Sequence, residues 1–153
     1  MGDLSNGAEI NVLPPDLARM PRRVGELMTT QVVSLYPHNL FREAVDLMAH
    51  HSFHHLLVAE PDGRLAGVLS DRDILRAEGC YDSDSTLVAD LMVSQVFTVQ
   101  AQTPLSEAVE LVLDHRLNCL PVVDDSGKIC GIITTTDILN AFKNLQSAVE
   151  NIS

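Results

Sequence analysis

The stretch Val24–Leu75, VGELMTTQVVSLYPHNLFREAVDLMAHHSFHHLLVAEPDGRLAGVLSDRDIL, returns 64 residues later as Val88–Leu139, VADLMVSQVFTVQAQTPLSEAVELVLDHRLNCLPVVDDSGKICGIITTTDIL. The two align without a gap, and seventeen of the 52 positions are identical. Ordinary residue usage would give about three or four by chance. Other positions keep their character, as at Val68/Ile132 and Ser70/Thr134. The chain is therefore an internal duplication, which takes precedence over any local reading. Each unit lies near the lower size limit for burying a core alone, so the copies are expected to share one.

The local signals agree between the copies. A short strand comes first, at Val32–Leu35 and Val96–Val99. A helix follows, with Asn39 or Thr103 in the N-cap role and Pro104 at the first helical position of the second copy. Leu40, Ala44, Leu47 and Met48 recur at helical spacing, as do Leu105, Ala108, Val109 and Val112. An apolar strand is expected at Leu56–Ala59 and Leu120–Val123. Turn sequences follow, Pro61-Asp62-Gly63 and Asp125-Ser126-Gly127, then strands at Leu65–Leu69 and Ile129–Ile133. A last helix opens at Ser70 or Thr134. The predicted fold class is α+β (α/β), with two β-α-β-β-α repeats related by pseudo-two-fold symmetry. The predicted divisions are a polar N-terminal tail over 1–20, repeat 1 over 21–78, a linker over 79–86, repeat 2 over 87–145 and a C-terminal tail over 146–153.

Composition narrows the function. Acidic residues outnumber basic ones 21 to 10, a formal net charge of −11. That balance opposes sequence-independent binding to nucleic acid, which needs a basic face to replace counterions, and opposes docking on an anionic membrane. A local basic pocket for a small anion stays open. Cys80, Cys119 and Cys130 are odd in number and form no CxxC pair, so a disulfide framework or a cysteine-only zinc site is not expected. The first residues, MGDLSNGAEINVLPPDL, carry neither the basic nor the apolar region of a signal peptide. No apolar run approaches the roughly 20 residues that span a bilayer. The expected location is the cytoplasm.

The second copy's LPVVDDSGKICGIITTTDIL resembles the CBS domain, a module of about 60 residues that occurs in tandem as a Bateman module. The first copy's LLVAEPDGRLAGVLSDRDIL departs from that pattern: Leu57 stands where the family has Pro, and Ala59-Glu60 where it has Val-Asp. The resemblance covers about two thirds of the chain. It implies a regulatory module that binds an adenosine nucleotide (AMP, ADP or ATP, with S-adenosylmethionine or NAD as further members of the class) in clefts between the repeats. It further implies a homodimer and an effector protein acted on in trans, and no required cofactor.

The family's ligand motif is Gly, two apolar residues, Ser or Thr, two variable residues and Asp. It stands here as Gly67-Val68-Leu69-Ser70-Asp71-Arg72-Asp73 and Gly131-Ile132-Ile133-Thr134-Thr135-Thr136-Asp137. A strand ending at a helix start offers free N–H groups to a phosphate. Asp73 and Asp137 can accept from the two ribose hydroxyls, as in dinucleotide folds, and the hydroxyls of Ser70 and Thr134 can help hold phosphate or ribose. The same Ser/Thr-x-x-Asp spacing is also a helix capping box, which needs no ligand.

By the same resemblance, His54-His55 and Asn118-Cys119 occupy positions that can face phosphate. Arg72 can reach phosphate, while its counterpart Thr136 is neutral. The first copy is thus expected to suit a charged phosphate, and the second ribose and adenine alone. Val68 and Ile132, with the first strands near Val33-Ser34 and Phe97-Thr98, are adenine walls or plain core.

Two other readings compete: a ligand-free dimerisation scaffold, and metal binding by His50, His51, His54 and His55. The repeat alignment ends a helix near His51 and starts a strand near His54, so the four cannot share a helix face. No catalytic constellation and no Walker-type glycine loop is present, and the chain is not expected to be an enzyme.

Overall fold

A computed structural model describes residues 20–152. The elements in order are α1 (Val24–Leu27), β1 (Ser34–Leu35), α2 (Phe41–His51), β2 (His55–Ala59), β3 (Leu65–Ser70), α3 (Asp71–Ala77), α4 (Val88–Leu91), α5 (Leu105–His115), β4 (Cys119–Val123), β5 (Ile129–Thr134) and α6 (Thr135–Glu150). In the first repeat β1 pairs parallel with β2, which pairs antiparallel with β3. In the second, β4 and β5 form the antiparallel pair. The expected strand Val96–Val99 reduces to one parallel bridge, Val99 with Val122. Both hairpins carry the same irregularity, between Val58 and Ala59 and between Val122 and Val123.

The turns are built by aspartate and glycine. Asp62 Oδ1 accepts from the Arg64 N–H at 3.0 Å, and Asp124 Oδ1 accepts from the Lys128 N–H at 3.0 Å. Gly63 and Gly127 sit at φ +91° and +82°, where a side chain would be strained. The turns also pair with each other, Leu65 N–H to Gly127 carbonyl at 3.1 Å and Ile129 N–H to Gly63 carbonyl at 3.0 Å.

The N-cap assignment moves by one residue. Leu40 and Pro104 precede α2 and α5. Asn39 and Thr103 instead turn their side-chain oxygens back to accept from the N–H groups of Tyr36 (2.6 Å) and Gln100 (3.0 Å), closing the preceding turns. Pro104 is consequently the cap and not the first helical residue. At the other end α2 and α5 stop on left-handed residues that are not glycine, Ser52 at φ 52° and Arg116 at φ 53°. The last helix runs to Glu150, through much of the segment read as a C-terminal tail. The N-terminal tail, apart from Met20, lies outside the described residues.

One arrangement was not foreseen. Val24 N–H bonds to the Thr103 carbonyl and Gly25 N–H to Ala101, while Val88 N–H bonds to Asn39 and Ala89 N–H to Pro37. Each short helix, α1 and α4, therefore docks on the opposite repeat. Thr29 then bridges Ile132, and Val93 bridges Val68. In place of one shared core there are two. The first gathers Phe41, Ala44, Leu56, Val58, Leu69 and Ile74 around Val88, and the second gathers Val99, Ala108, Leu120, Val122 and Ile133 around Val24. The motif glycines make this possible: a Cβ on Gly67 would lie 2.7 Å from the Val93 carbonyl oxygen, and one on Gly131 2.9 Å from that of Thr29.

Candidate functional site

The exchange of α1 and α4 leaves a cleft of about 510 Å³ where the two repeats meet. The volume falls in the range of small-molecule sites. Val32, Val33, Phe53, Leu57 and Ile132 give it an apolar side. Its polar end is built where two strands run into two helices. There β3 delivers Ser70, Asp71 and Arg72 at the start of α3, and β5 delivers Thr134, Thr135 and Thr136 at the start of α6. His54, His55 and Asn118 complete that end. The two helix starts are tied alike, Asp71 N–H to the His54 carbonyl at 3.0 Å and Thr135 N–H to the Asn118 carbonyl at 3.1 Å.

Of the residues read from the sequence, Val33, His54, His55, Ser70, Arg72, Asn118, Ile132, Thr134 and Thr136 line this cleft. Ser34 lines a smaller cavity of about 230 Å³ with Thr30, Gly63 and Cys130. Val68 is buried against Val93. Phe97 is half-exposed and stacks on His115 with centroids 4.1 Å apart, and Thr98 follows it towards the Val99 bridge. Cys119 sits on β4 opposite Thr134, and burial pushes its thiol up to about 11. It is an apolar filler at neutral pH.

Asp73 and Asp137 are engaged as caps. Asp73 Oδ2 accepts from the Ser70 N–H (2.9 Å) and hydroxyl (2.8 Å), while the Ser70 oxygen accepts from the Asp73 N–H (3.2 Å). Thr134 and Asp137 repeat the pattern at 2.9, 3.0 and 3.3 Å. The two capping boxes are complete, and neither aspartate lines the cleft.

The histidines are dispersed. His50 Nδ1 bonds to the Asp46 carbonyl, His51 stacks on Phe53, and His54 Nδ1 meets Asp71 Oδ2 at 3.1 Å. Among the described residues no three metal-ligating side chains converge. Burial holds His55 below the usual imidazole value of 6.5, against the opposing pull of Asp71. The hydrogen bond with His54 holds Asp71 below the usual carboxylate range. Asp71 and Thr135 were missed because their part in the cleft arises from how they stand against His54 and Asn118 in space. The aligned copies do carry a signal there, a charged residue in one and a neutral residue in the other.

The CBS domain family model matches residues 24–79 and 88–144. The chain is 32% identical over 134 residues to homoserine O-acetyltransferase of Methanocorpusculum labreanum, covering 88% of this chain and 27% of that enzyme. Inosine-5'-monophosphate dehydrogenase of Nitrosopumilus maritimus is likewise matched over only 24% of its length, so the chain spans about a quarter of these curated relatives. By contrast, CBS domain-containing protein YhcV of Bacillus subtilis, 34% identical over 134 residues, is matched over 94% of its length and 85% of this chain. Among solved structures, CBSX2 in complex with AMP superposes with a TM-score of 0.75 at 28% identity, covering 82% of this chain and 99% of that one. With two matched units, an in-frame duplication and the same fold, this chain belongs to the CBS domain family.

Proposed function

We propose that the chain is a regulatory module that binds an adenosine nucleotide in the cleft between its repeats and passes the resulting change in their relative orientation to an effector in trans. The observation that carries this reading is the cleft itself. It is lined by both repeats, apolar on one side, and ends at two strand-to-helix junctions that bring Arg72 and the Thr135 and Thr136 hydroxyls together. The likeness to a protein solved with AMP supports the same ligand class. A ligand touching both repeats favours one arrangement of the halves, which is the differential contact that regulation requires. The ribose role read for Asp73 and Asp137 is not part of this proposal, because Oδ2 of each is committed to its cap and neither lines the cleft. No catalytic role is assigned to any lining residue.

Calorimetric titration with adenosine, AMP, ADP, ATP, S-adenosylmethionine and NAD tests the reading. Saturable binding of one or more of them, with a raised melting temperature at excess ligand, is expected. No heat and no thermal shift with any of the six overturns it in favour of a ligand-free scaffold.

Pairing of two chains belongs to the same reading. Leu113 on α5 and Leu139, Phe142 and Val149 on α6 are exposed large apolar side chains, while Val109 and Val112 are partly covered. A homodimer at micromolar concentration is expected. A light-scattering mass of one chain, with and without nucleotide, overturns that part.

A further inference from the structure

Resting on the nucleotide reading above, we propose that Asp71 sets the charge of ligand that the cleft accepts, selecting an adenosine with no phosphate or one over a di- or triphosphate. Arg72 is the only lysine or arginine among the described residues that line the cleft, and Asp71 precedes it on the same helical turn. With histidines counted neutral, the lining carries no net charge. Asp71 meets His54 at two points: its backbone N–H is bonded to the His54 carbonyl, and its Oδ2 accepts from the same residue's ring at 3.1 Å. That ring contact favours the ionised form, so a ligand phosphate meets a formal charge and not a neutral acid. Asp73 adds a second carboxylate to the same short helix.

The facing wall supplies no compensation. The Thr134 N–H and hydroxyl are taken by Asp137 and the Thr135 N–H by Asn118, which leaves the Thr135 and Thr136 hydroxyls as donors to one phosphate, without a cation. One phosphate can be matched by Arg72 and these donors. Each further phosphate brings negative charge towards the Asp71 carboxylate, with Arg72 the one formal cation of the described lining to meet it. The charge filter is confined to the first repeat, because Thr135 stands at the position of Asp71 in the second. This reverses the expectation, drawn from His54, His55 and Arg72 alone, that the first repeat suits the more highly charged nucleotide.

The test is calorimetry on the full chain at low salt with a chelator, using adenosine, AMP and ATP against the unaltered protein and Asp71→Asn. AMP is expected to bind at least about tenfold more tightly than ATP, and Asp71→Asn to raise the ratio of ATP to adenosine affinity by about fivefold or more. Added salt narrows the AMP–ATP gap in the unaltered protein. Should Asp71→Asn fail to fold, Asp71→Thr, the residue of the second repeat, serves in its place, and the salt series needs no variant. If adenosine and AMP bind but ATP binds as tightly as AMP, or the substitution leaves the ratio unchanged, the charge filter is overturned alone. If none of the three binds, the filter is overturned, and the nucleotide reading falls with it when ADP, S-adenosylmethionine and NAD fail as well.

Discussion

Ser70 and Asp73 are bound to each other three times over, N–H to carboxylate, hydroxyl to carboxylate and N–H to hydroxyl, all within 3.2 Å. The motif that reads as a ligand site is thus also the clamp that turns β3 into α3, and Thr134 with Asp137 does the same for β5 and α6. Ser70→Ala and Thr134→Ala each remove an acceptor and a donor from a complete capping box. Each is expected to cost about 1 kcal/mol of folding stability. Urea unfolding should show a lower midpoint at unchanged slope. A midpoint unmoved by either substitution would refute the clamp.

Gly67→Ala and Gly131→Ala place a methyl group within 2.7 and 2.9 Å of backbone oxygens and 2.8 Å from the sulfurs of Met92 and Met28. Side-chain adjustment can relieve the sulfur contact, but the backbone oxygens move only if the crossing segment moves. Each substitution is expected to destabilise by about 1–3 kcal/mol, as overpacking does. Thermal unfolding of the unliganded protein measures it. Wild-type melting in both variants would mean that the crossing segments are held loosely.

The ends of α2 and α5 offer the opposite outcome. Ser52 and Arg116 hold left-handed backbone without being glycine. Ser52→Gly and Arg116→Gly are each expected to raise stability by about 0.5–1 kcal/mol, since the strain relieved exceeds the entropy that glycine adds to the unfolded chain. A lowered urea midpoint in both would contradict the observed cap geometry.

His55 makes stability depend on pH in a definite direction. Burial holds its imidazole below 6.5 in the folded chain, so the unfolded chain takes up that proton first as pH falls. Its contribution is complete above about pH 6.5 and is lost as pH falls from there through the folded value. The low value of Asp71 acts only in the more acidic carboxylate range. Urea midpoints between about pH 8 and pH 5.5 should fall with acidification, and His55→Gln should flatten that part of the curve. Parallel curves for the two proteins would exclude His55 as the cause.

The hairpins and long helices were legible because their signals are local and occur twice. Apolar runs, turn glycines and helical spacing recur at the same offset, and β2, β3, β4 and β5 differ from expectation by single residues. The four-residue helices α1 and α4 were not legible, since one turn carries no period. Their exchange was invisible for a further reason: the sequences of Val24–Leu27 and Val88–Leu91 are so alike that nothing in them says which repeat each will join. At the cleft, the motif positions pointed to Ser70, Arg72, Thr134 and Thr136. Asp71 escaped because its effect arises from where His54 and Arg72 stand in space.

The crossing of Val24 and Val88 into each other's cores also bears on how such a chain is assembled. A repeat made alone lacks the residue that completes its interior, and only another copy can supply it. Its folding would be second order, failing on dilution. Joined in one chain, the same exchange becomes first order, because the linker holds each plug at a high effective concentration beside its socket. Tandem occurrence then stabilises each unit's interior, independent of what the cleft binds.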